Sequence, residues 1–433
     1  MASVQLENRV WQKAELTPRE DLVRLQAARL RACVERCANV PFYREQFAGA
    51  GVTPDSIRSA DDVRRLPFTS KEDLRQHYPL GFLAVPRAQI ARIHGSSGTT
   101  GKPTFVAYTK NDLELWADLC ARFLVAGGLR SEHLCQIAFG FGLKGGIEKV
   151  GAGIVPASSG MTARQVMLLA DLQAEVLICT PSYALCIAEV ARQEGFGPGK
   201  LGLRFGHFGG EPWTEDMRLK IDWELGITAF NNYGLSEVIG PGVSGECYQR
   251  NGMHIQEDHF LVECVDPETL EPVPDGEQGE LVFTAMTKEA MPIIRYRTRD
   301  IARLDRSPCP CGRTGARMSR VVGRTDDMLI IRGVNVFPSQ IEEALLRVEG
   351  TAPQYMIEVS RPGAMDEVTV RVEMRSQDFS DKMSQIQGLR DRIQAMIQRV
   401  AGISVGVELV EPQTLERSAG KAKRVVDNRV KMG

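Results

Sequence analysis

The chain has 433 residues, of which 43% are hydrophobic and 25% are charged, a composition typical of globular proteins. This length exceeds what one simple core accommodates, so two or more domains are expected. The 53 basic and 55 acidic side chains give a formal net charge of -2, which excludes a strongly basic binder of nucleic acid or anionic membranes. No apolar run is long enough to cross a bilayer.

The N-terminal segment mixes charged and polar residues and lacks the apolar stretch of a secretory signal. In a long chain without an export signal, the 10 cysteines are expected to be reduced thiols or metal ligands rather than a disulfide framework. These features predict a cytoplasmic enzyme.

The first third of the chain is predicted to be mainly helical. Apolar residues at helical spacing predict a helix over 18–40 that ends at Pro41. Residues 67–70 are expected to cap a second helix that begins near Lys71. Two further elements complete this part: a strand–loop–strand unit over 90–109 and a helix over 112–127.

The middle third alternates strands with helices, which is typical of a layered α/β architecture. The predicted strands cover 134–141, 153–156, 176–180, 203–208 and 227–230. The predicted helices cover 162–171, 183–193 and 214–225.

Beyond Gly245 the pattern changes to that of β-hairpins, at 260–265, 272–275 and 279–284. After a charged, turn-rich segment, a strand–helix–strand pattern is predicted over 339–347, 368–374 and 388–400. The change of composition near Gly323 predicts a domain boundary. We therefore expect a large layered α/β domain over 1–323, with a β-rich subdomain at 245–322, and a small α+β domain over 324–433.

The strongest local motif is a loop rich in hydroxyl groups and glycine, Ser96-Ser97-Gly98-Thr99-Thr100-Gly101-Lys102-Pro103. Backbone N–H groups and hydroxyls in such a loop can surround phosphate oxygens. The spacing differs from that of a Walker A loop, and Pro103 stands where a magnesium-binding Ser or Thr should follow the lysine. A flexible surface loop is the alternative interpretation.

A second glycine motif, Gly140–Gly145, matches the dinucleotide pattern G-x-G-x-x-G. A dinucleotide fold also needs an acidic residue after the following strand, to hold the ribose. Residues 154–158 contain no acid, so NAD binding is weakly supported. Glycines that allow a close approach of the backbone are the preferred interpretation.

Five motifs in order resemble those of adenylate-forming acyl-CoA synthetases, and the chain as a whole is similar to the phenylacetate–coenzyme A ligase branch. They are the loop 96–103, Tyr233–Glu237, Tyr296–Asp300, Gly323–Asp327 and Ser418–Lys421. Further marks of the branch are 40–43, 66–69, 180–185, 233–243 and 332–338.

The resemblance implies a two-step reaction. ATP and a carboxylic acid give acyl-AMP and pyrophosphate, and coenzyme A then gives the thioester and AMP. It also implies Mg²⁺ beside the phosphates, a mobile C-terminal domain and a homodimer. An aryl acid would be the substrate, with phenylacetate, hydroxyphenylacetate, indoleacetate and benzoate all open.

The resemblance also assigns roles to individual residues. Lys421 would bridge the α-phosphate and the acid, Glu237 would bind Mg²⁺, and Asp326 would be the hinge of the mobile domain. The residues implied in ATP or coenzyme A binding are Ser96, Ser97, Gly98, Thr99, Thr100, Gly101, Lys102, Gly210, Glu211, Pro212, Tyr233, Gly234, Ser236, Asp300, Arg324, Lys71 and Gly333.

The acid's tail must point away from ATP, and the resemblance places apolar segments there. The residues expected to line this pocket are Phe139, Phe141, Gly146, Gly209, Leu235, Ile239 and Pro241. Glycines would leave space at the base of the pocket, and phenylalanines would offer ring faces to an aromatic substrate. One departure from the family pattern is Arg299, which replaces the glycine common before the ribose-binding Asp300.

Cys247, His254, Cys309 and Cys311 are the types of residue that form a closed, tetrahedral zinc site. The C-x-C spacing is less diagnostic than C-x-x-C, so a pair of buried thiols is the alternative. Similar positions recur in the ligase branch, which favours structural zinc.

Three other functions remain as alternatives. Within the family, an adenylyltransferase of the coenzyme F390 synthetase type would stop at an AMP adduct. An NAD-binding oxidoreductase would use Gly140–Gly145, and a non-enzymatic zinc scaffold would use the Cys₃His set.

Overall fold

The computed structural model describes residues 9–95, 103–362, 365–375, 383–415 and 424–429. The predicted phosphate loop Ser96–Lys102 and the predicted catalytic Lys421 lie outside the described residues. In the part of the chain that is described, no helix is both long and apolar enough to cross a membrane.

The helices of the described chain are α1 (Arg19–Cys37), α2 (Pro41–Ala50), α3 (Lys71–Gln76), α4 (Lys110–Gly127), α5 (Lys144–Val150), α6 (Thr162–Leu172), α7 (Pro181–Gln193), α8 (Glu215–Leu225), α9 (Pro338–Leu346) and α10 (Met383–Ala401).

The strands are β1 (Arg92–Gly95), β2 (Phe105–Tyr108), β3 (Leu134–Ile137), β4 (Gly153–Val155), β5 (Val176–Cys179), β6 (Phe205–Gly209), β7 (Thr228–Leu235), β8 (Gly240–Glu246), β9 (Met253–Ile255), β10 (Phe260–Val265), β11 (Gln278–Ala285), β12 (Ile293–Asp305), β13 (Arg317–Met318), β14 (Gly323–Arg324), β15 (Leu329–Ile331), β16 (Val334–Val336), β17 (Thr351–Ser360), β18 (Glu367–Met374), β19 (Gly406–Val410) and β20 (Val425–Asp427).

The chain forms two compact units. The first combines the residues up to Pro156 with Phe230–Arg320, and the second combines Ala157–Ala229 with the residues from Val321 onward. The second unit thus joins segments that the sequence assigned to different domains. A separate C-terminal domain that begins near Gly323 stays a prediction.

In the first unit, strands follow one another in the order β10-β11-β12-β13-β9-β8-β7, each antiparallel to its neighbour. Helix α4 packs directly on β8. A Cβ added at Gly240 would lie 2.4 Å from the Trp116 ring, and one at Gly245 would lie 2.5 Å from Cβ of Phe123. Real Cβ atoms do not approach so closely, so glycine is required where the helix meets this strand.

In the second unit, β5 and β6 pair in parallel, and a four-stranded sheet has the order β19-β18-β17-β20. This sheet shares an apolar core with α9 and α10. Ile341, Ile357, Val370, Ile393 and Ile397 in that core are all 0% exposed. A short hairpin joins β15 to β16 through Arg332 (φ 50°) and Gly333 (φ 81°), so both turn residues are left-handed as a two-residue hairpin turn requires.

The predicted α/β class is confirmed, and the helices predicted over 112–127, 162–171, 183–193 and 214–225 correspond to α4, α6, α7 and α8. The helix predicted near Lys71 is also present. Ser70 caps it, because the Asp73 N–H donates to Ser70 Oγ at 3.3 Å and the Ser70 N–H donates to the Asp73 carboxylate at 2.7 Å.

The strand–helix–strand order predicted beyond residue 338 is wrong. The structure has the helix α9 over most of 339–347, the strand β18 over 368–374 and the helix α10 over 388–400. Pro338 occupies the first helical position, where its missing N–H costs nothing. In β18 the alternating Val368, Val370 and Val372 are buried, which is the period of a strand rather than a helix.

Two smaller predictions also need correction. Pro41 begins the new helix α2 as well as following α1, since proline suits a helix N-terminus. Residues 272–275 form no strand and contribute one isolated bridge, between Pro272 and Val265. The prolines at 272 and 274 lack the N–H groups that a strand ladder needs.

Candidate functional site

The predicted magnesium ligand Glu237 lies in the tight turn that joins β7 to β8 in the first unit. The N–H groups of Val238 and Ile239 both donate to the carbonyl of Leu235 at 3.1 Å, which closes the turn. Glu237 is 8% exposed, and its negative charge acts on the ammonium of the buried Lys288. A buried carboxylate is unfavourable without positive charge nearby, and it is suited to binding a further cation.

Gly234, which precedes this turn, allows the two strands to approach closely. A Cβ at Gly234 would lie 2.0 Å from the Gly240 carbonyl oxygen, and the strand register shifts between Tyr233 and Gly234. Any side chain here would push β7 away from β8 and displace the turn that carries Glu237.

Tyr233 and Asp300, both predicted to bind the nucleotide, are in direct contact. The Tyr233 hydroxyl donates to the Asp300 carboxylate at 2.6 Å, and the Asp300 N–H donates to Thr298 Oγ1 at 3.0 Å. Asp300 is 7% exposed. These bonds orient a carboxylate that can accept hydrogen bonds from the hydroxyls of a sugar.

Arg299, the departure from the family pattern, keeps the backbone conformation of a glycine. Its φ is 68°, which is in the left-handed region that side chains disfavour. Charge interactions with the buried Glu280 offset part of the cost of this backbone conformation. Arg297 donates to the Glu280 carboxylate at 2.7 Å, and the Arg299 guanidinium lies 3.7 Å from the same carboxylate. The backbone before Asp300 is therefore left-handed although residue 299 carries a side chain.

Lys71 begins α3, and the segment before it is attached to β12. The Thr69 N–H donates to the carbonyl of Arg295 at 3.0 Å, and the Arg297 N–H donates to the carbonyl of Thr69 at 2.9 Å. Lys71 itself is half-buried. It is thus anchored to the same strand as Asp300, and its contact with phosphates stays a prediction.

Two side chains that the sequence did not suggest also bind the Glu237 turn. Tyr108 Oη donates to the carbonyl of Ile239 at 3.0 Å and lies 3.3 Å from that of Ser236, and Lys288 Nζ donates to the carbonyl of Glu237 at 3.2 Å. Burial lowers the pKa of Lys288 to about 8, against the opposing effect of Asp112 and Glu237. A lysine inside the apolar run 285–294 is the sequence signal that could have revealed it.

The predicted substrate residues of the first unit lie at the turn between β7 and β8 and around the start of α5. Phe141 is 47% exposed and Ile239 is 0% exposed, whereas Phe139, Leu235 and Pro241 are half-buried. Gly146 faces α4, because a Cβ there would lie 2.5 Å from Cβ of Cys120. This glycine allows α5 to pack closely on α4 and does not leave open space in a pocket. Its contact with a substrate stays a prediction.

The motif Gly140–Gly145 follows β3 and opens α5, as a dinucleotide motif would. The space beside its later glycines, however, is occupied by other residues of the protein. A Cβ at Gly142 would lie 2.7 Å from Pro241, and one at Gly145 would lie 3.1 Å from Ala117. These contacts explain the glycines without a dinucleotide.

In the second unit, the structure brings two motifs of the ligase branch together. Strand β6 ends at Gly209, and Gly210 follows with a φ of 85°. The next residue, Glu211, accepts a hydrogen bond from the Ser182 N–H at 2.8 Å, at the N-terminus of α7. The partial positive charge of a helix N-terminus stabilises a carboxylate at this position. Pro212 lies directly after this anchored residue.

The predicted hinge residue Asp326 is exposed, and the neighbouring Arg324 is half-buried. The Arg324 guanidinium makes two hydrogen bonds to the Asp326 carboxylate, at 2.8 and 2.9 Å. Gly333, predicted to line the coenzyme A channel, occupies the exposed turn between β15 and β16. At the start of the last described segment, the largely buried Arg424 packs over the Tyr355 ring at 4.4 Å and lies 3.6 Å from Glu342, which anchors the beginning of β20.

The four predicted zinc ligands come together in the first unit. Their ligand atoms lie within 4.8 Å of one another, and all four residues are buried. The sulfur atoms of Cys247 and Cys309 are 4.0 Å apart, and Cys311 Sγ is 3.3 Å from His254 Nε2. Two thiolates on a tetrahedral zinc lie about 3.8 Å apart, given Zn–S bonds of about 2.3 Å.

The chemistry of these four groups also suits a metal ion. The hydrogen bond between Cys247 and Cys311 is the main cause of a lowered pKa at Cys311 and a raised pKa at Cys247. His254 Nδ1 is buried and has no hydrogen-bond partner among the described residues. The residues present therefore fit zinc.

Two family models match the chain. The one described as AMP-binding enzyme matches residues 13–287, and the one described as AMP-binding enzyme C-terminal domain matches residues 333–429.

Several relatives match almost end to end. Phenylacetate-coenzyme A ligase of Thermus thermophilus is 48% identical, over 96% of this chain and 98% of that protein. The Escherichia coli protein of the same name is 47% identical, over 95% of each chain.

Among solved structures, 2-hydroxyisobutyryl-CoA ligase with a bound acyl-AMP, in its postadenylation state, is 30% identical with a TM-score of 0.92, over 99% of this chain and 94% of that one. The same protein in its thioesterification state gives a TM-score of 0.72.

The left-handed backbone at Arg299 leads to a prediction about stability. Arg299→Gly and Arg299→Ala both remove the ion pair with Glu280, but the glycine adopts a φ of 68° without strain. We expect the glycine variant to be more stable than the alanine variant by about 1 kcal/mol in urea denaturation. Equal stabilities, or a more stable alanine variant, would show that the backbone here carries no strain.

Proposed function

The chain belongs to the AMP-binding, adenylate-forming enzymes, within their phenylacetate–coenzyme A ligase branch, and from this premise we propose that it joins an arylacetate, phenylacetate first among them, to coenzyme A. The near end-to-end match to two ligases of 47–48% identity carries this proposal. The same match leaves an NAD-dependent oxidoreductase without support.

The reaction takes place in two steps. A carboxylate oxygen of the acid attacks the α-phosphorus of ATP, the bond to pyrophosphate breaks, and acyl-AMP forms. The thiolate of coenzyme A then attacks the acyl carbon, and AMP leaves with the electron pair. Both reactants of the first step are anions, so positive charge near the α-phosphate has to offset their repulsion.

Three residues of the first unit are assigned to the nucleotide. Asp300, oriented by Tyr233 at 2.6 Å, would accept hydrogen bonds from the ribose. Glu237, buried in its turn, would hold Mg²⁺. When bound, that ion offsets charge on the phosphates. The support is the position of each residue in its motif together with its burial and its partners.

In the second unit, Gly209–Pro212 would contact the adenine through its backbone, because the Glu211 carboxylate is occupied by the Ser182 N–H at 2.8 Å. Arg324 would assist at the ribose and Gly333 would line the path of coenzyme A. Lys421 would bridge the α-phosphate and the acid. Asp326, an exposed residue, would be the hinge about which the C-terminal domain turns between the two steps.

The substrate class follows from the side chains around the β7–β8 turn. The ring of Phe141 is 47% exposed, a large apolar surface for which an aromatic guest is a suitable partner. Lys144 is the one cation in the segments predicted to form the pocket, and it is paired with Glu148 at 2.6 Å, so a second carboxylate on the tail would be unpaired and unfavourable. We therefore propose that arylacetates are preferred over fatty acids and dicarboxylates.

We also propose that Cys247, His254, Cys309 and Cys311 hold a structural zinc ion. The site has four protein ligands, which completes a tetrahedral shell and leaves no position for a substrate. Zinc would connect the ends of β8 and β9 to the segment between β12 and β13. A homodimer and a cytoplasmic location complete the proposal, and the 10 free, buried cysteines fit a reducing compartment.

The role of Lys421 can be tested one step at a time. Lys421→Ala should lower acid-dependent ATP–pyrophosphate exchange about 100-fold or more, because only adenylation needs its charge. Thioester formation from preformed acyl-AMP should change less than about threefold. The control is Lys423→Ala, in the same basic cluster, which should behave as the wild type. An equal loss in both steps would contradict the assignment.

The pocket assignment predicts a selective effect on the acid. Phe141→Ala removes apolar contact with the ring of phenylacetate, so the KM for phenylacetate should rise about tenfold. The KM for ATP should stay within about twofold of the wild type. Trp223→Ala, which removes an aromatic side chain that is 76% exposed, is the control and should change neither constant. A higher kcat/KM for acetate or octanoate than for phenylacetate in the wild type would refute the proposed substrate class.

The metal assignment predicts one zinc ion per chain in protein purified without chelator. Cys311→Ser should lose the ion and lower the thermal midpoint, because metal binding adds to folding free energy. Cys264→Ser is the control, since Cys264 is also buried but lies outside the cluster. Elemental analysis that finds no zinc in the wild type, or the same zinc content in Cys311→Ser, would contradict the assignment.

A further inference from the structure

Lys288 is a buried lysine, 1% exposed, on the connection between β11 and β12. An ammonium group has three N–H donors, and burying it is unfavourable unless they are used. Among the described residues, a single oxygen accepts from Nζ, the carbonyl of Glu237 at 3.2 Å. The hydrogen bond that offsets the cost of burying this charge is thus made to the turn that carries the predicted magnesium ligand.

Tyr108 contacts both Lys288 and the same turn. Lys288 Nζ lies 4.9 Å from the centroid of the Tyr108 ring, a distance at which the ring face stabilises a cation. The Tyr108 hydroxyl approaches the carbonyls of Ile239 and Ser236 at 3.0 and 3.3 Å. Two side chains that touch each other therefore hold three carbonyl groups of one short turn.

The first turn of α4 fixes the backbone beside Lys288. The Asp112 carboxylate, 1% exposed, accepts hydrogen bonds from the N–H groups of Glu289 and Ala290 at 2.7 and 2.9 Å. Thr109 Oγ1 donates to the Glu289 carboxylate at 2.8 Å. Because the backbone is held on one side and the ammonium on the other, the lysine side chain has little freedom to move.

We propose that Lys288 is a positioning residue for Glu237: its ammonium fixes the main chain of turn 236–239 and so sets where the Glu237 carboxylate holds the metal–nucleotide complex. The inference rests on the proposed function, in which Glu237 binds Mg²⁺. A metal ligand must be held to within about 0.5 Å of its working position, and a residue that supports a ligand affects metal affinity without touching the metal.

Phenylacetate-dependent ATP–pyrophosphate exchange by Lys288→Met, measured as a function of Mg²⁺ concentration, tests this role. Methionine keeps the unbranched apolar stem and removes the charge and the donors. We expect the Mg²⁺ concentration for half-maximal exchange to rise about tenfold or more. Binding of Mg²⁺–ATP, measured by calorimetry without phenylacetate, should weaken by a similar factor, because the positioning role acts on the metal–nucleotide complex and not on catalytic turnover.

The matched control is Lys220→Met on α8. Burial lowers the pKa of Lys220 to about 8 as well, so the control also removes a partly buried ammonium, but one with no contact to Glu237. It should show the Mg²⁺ requirement of the wild type. Tyr108→Phe, which removes the hydroxyl that approaches the same turn, should raise the Mg²⁺ requirement as Lys288→Met does.

The outcomes separate this inference from the proposed function. An unchanged Mg²⁺ requirement in folded Lys288→Met, with an active wild type, overturns the positioning role and leaves the function standing. A wild type without acid-dependent exchange overturns the function itself. If Lys288→Met shows no cooperative thermal transition, Lys288→Gln, which retains a donor, replaces it. The inference is supported if Lys288→Gln requires more Mg²⁺ than the wild type and no more than Tyr108→Phe. It is overturned if Lys288→Gln requires the same Mg²⁺ concentration as the wild type.

Discussion

The close approach of α4 to β8 is the constraint on which the candidate site depends. Gly240 and Gly245 lie under Trp116 and Phe123 at distances that leave no room for a Cβ, at 2.4 and 2.5 Å. Trp116 Nε1 also donates to the Pro241 carbonyl at 2.6 Å. With the helix held this close to the strand, its N-terminal turn is placed where it can fix the loop that carries Lys288. The turn that carries Glu237 and the loop that carries Lys288 are thus both attached to elements that meet at this packing contact.

The same contact explains what the sequence could not predict. The segment Gly240–Glu246 contains three glycines and a proline, which is a pattern typical of turns, yet it forms β8. Its glycines are required by the neighbouring helix, and that helix lies more than 110 residues earlier in the chain. Local propensity does not contain this information, because the helix is adjacent only in the folded protein. Lys288 differs in that a charge among apolar residues marks it in the sequence, but its contact with Glu237, 51 residues earlier, could not be predicted.

The sequence did predict most of the layered helices and strands, because their apolar periods are long and regular, as in α4 and α7. It also predicted the motif residues that come into contact, such as Tyr233 with Asp300 and the four zinc candidates. It failed over 339–400, where short amphipathic segments of helix and strand resemble one another. Arg299 shows the complementary case. A side chain replaces glycine, and the strand keeps its left-handed φ of 68° because the surrounding hydrogen bonds fix it.

Glycines and anchored polar groups have different roles in the candidate site. Glycines at 234, 240 and 242 bring backbones together, and buried polar side chains then hold the turns that result. Product analysis with phenylacetate, ATP and Mg²⁺, with and without coenzyme A, tests the central claim most directly. Acid-dependent pyrophosphate exchange should occur without coenzyme A. With coenzyme A, AMP, pyrophosphate and phenylacetyl-CoA should form in equal amounts. An AMP adduct that persists in the presence of coenzyme A, or ATP turnover independent of any aryl acid, would contradict it.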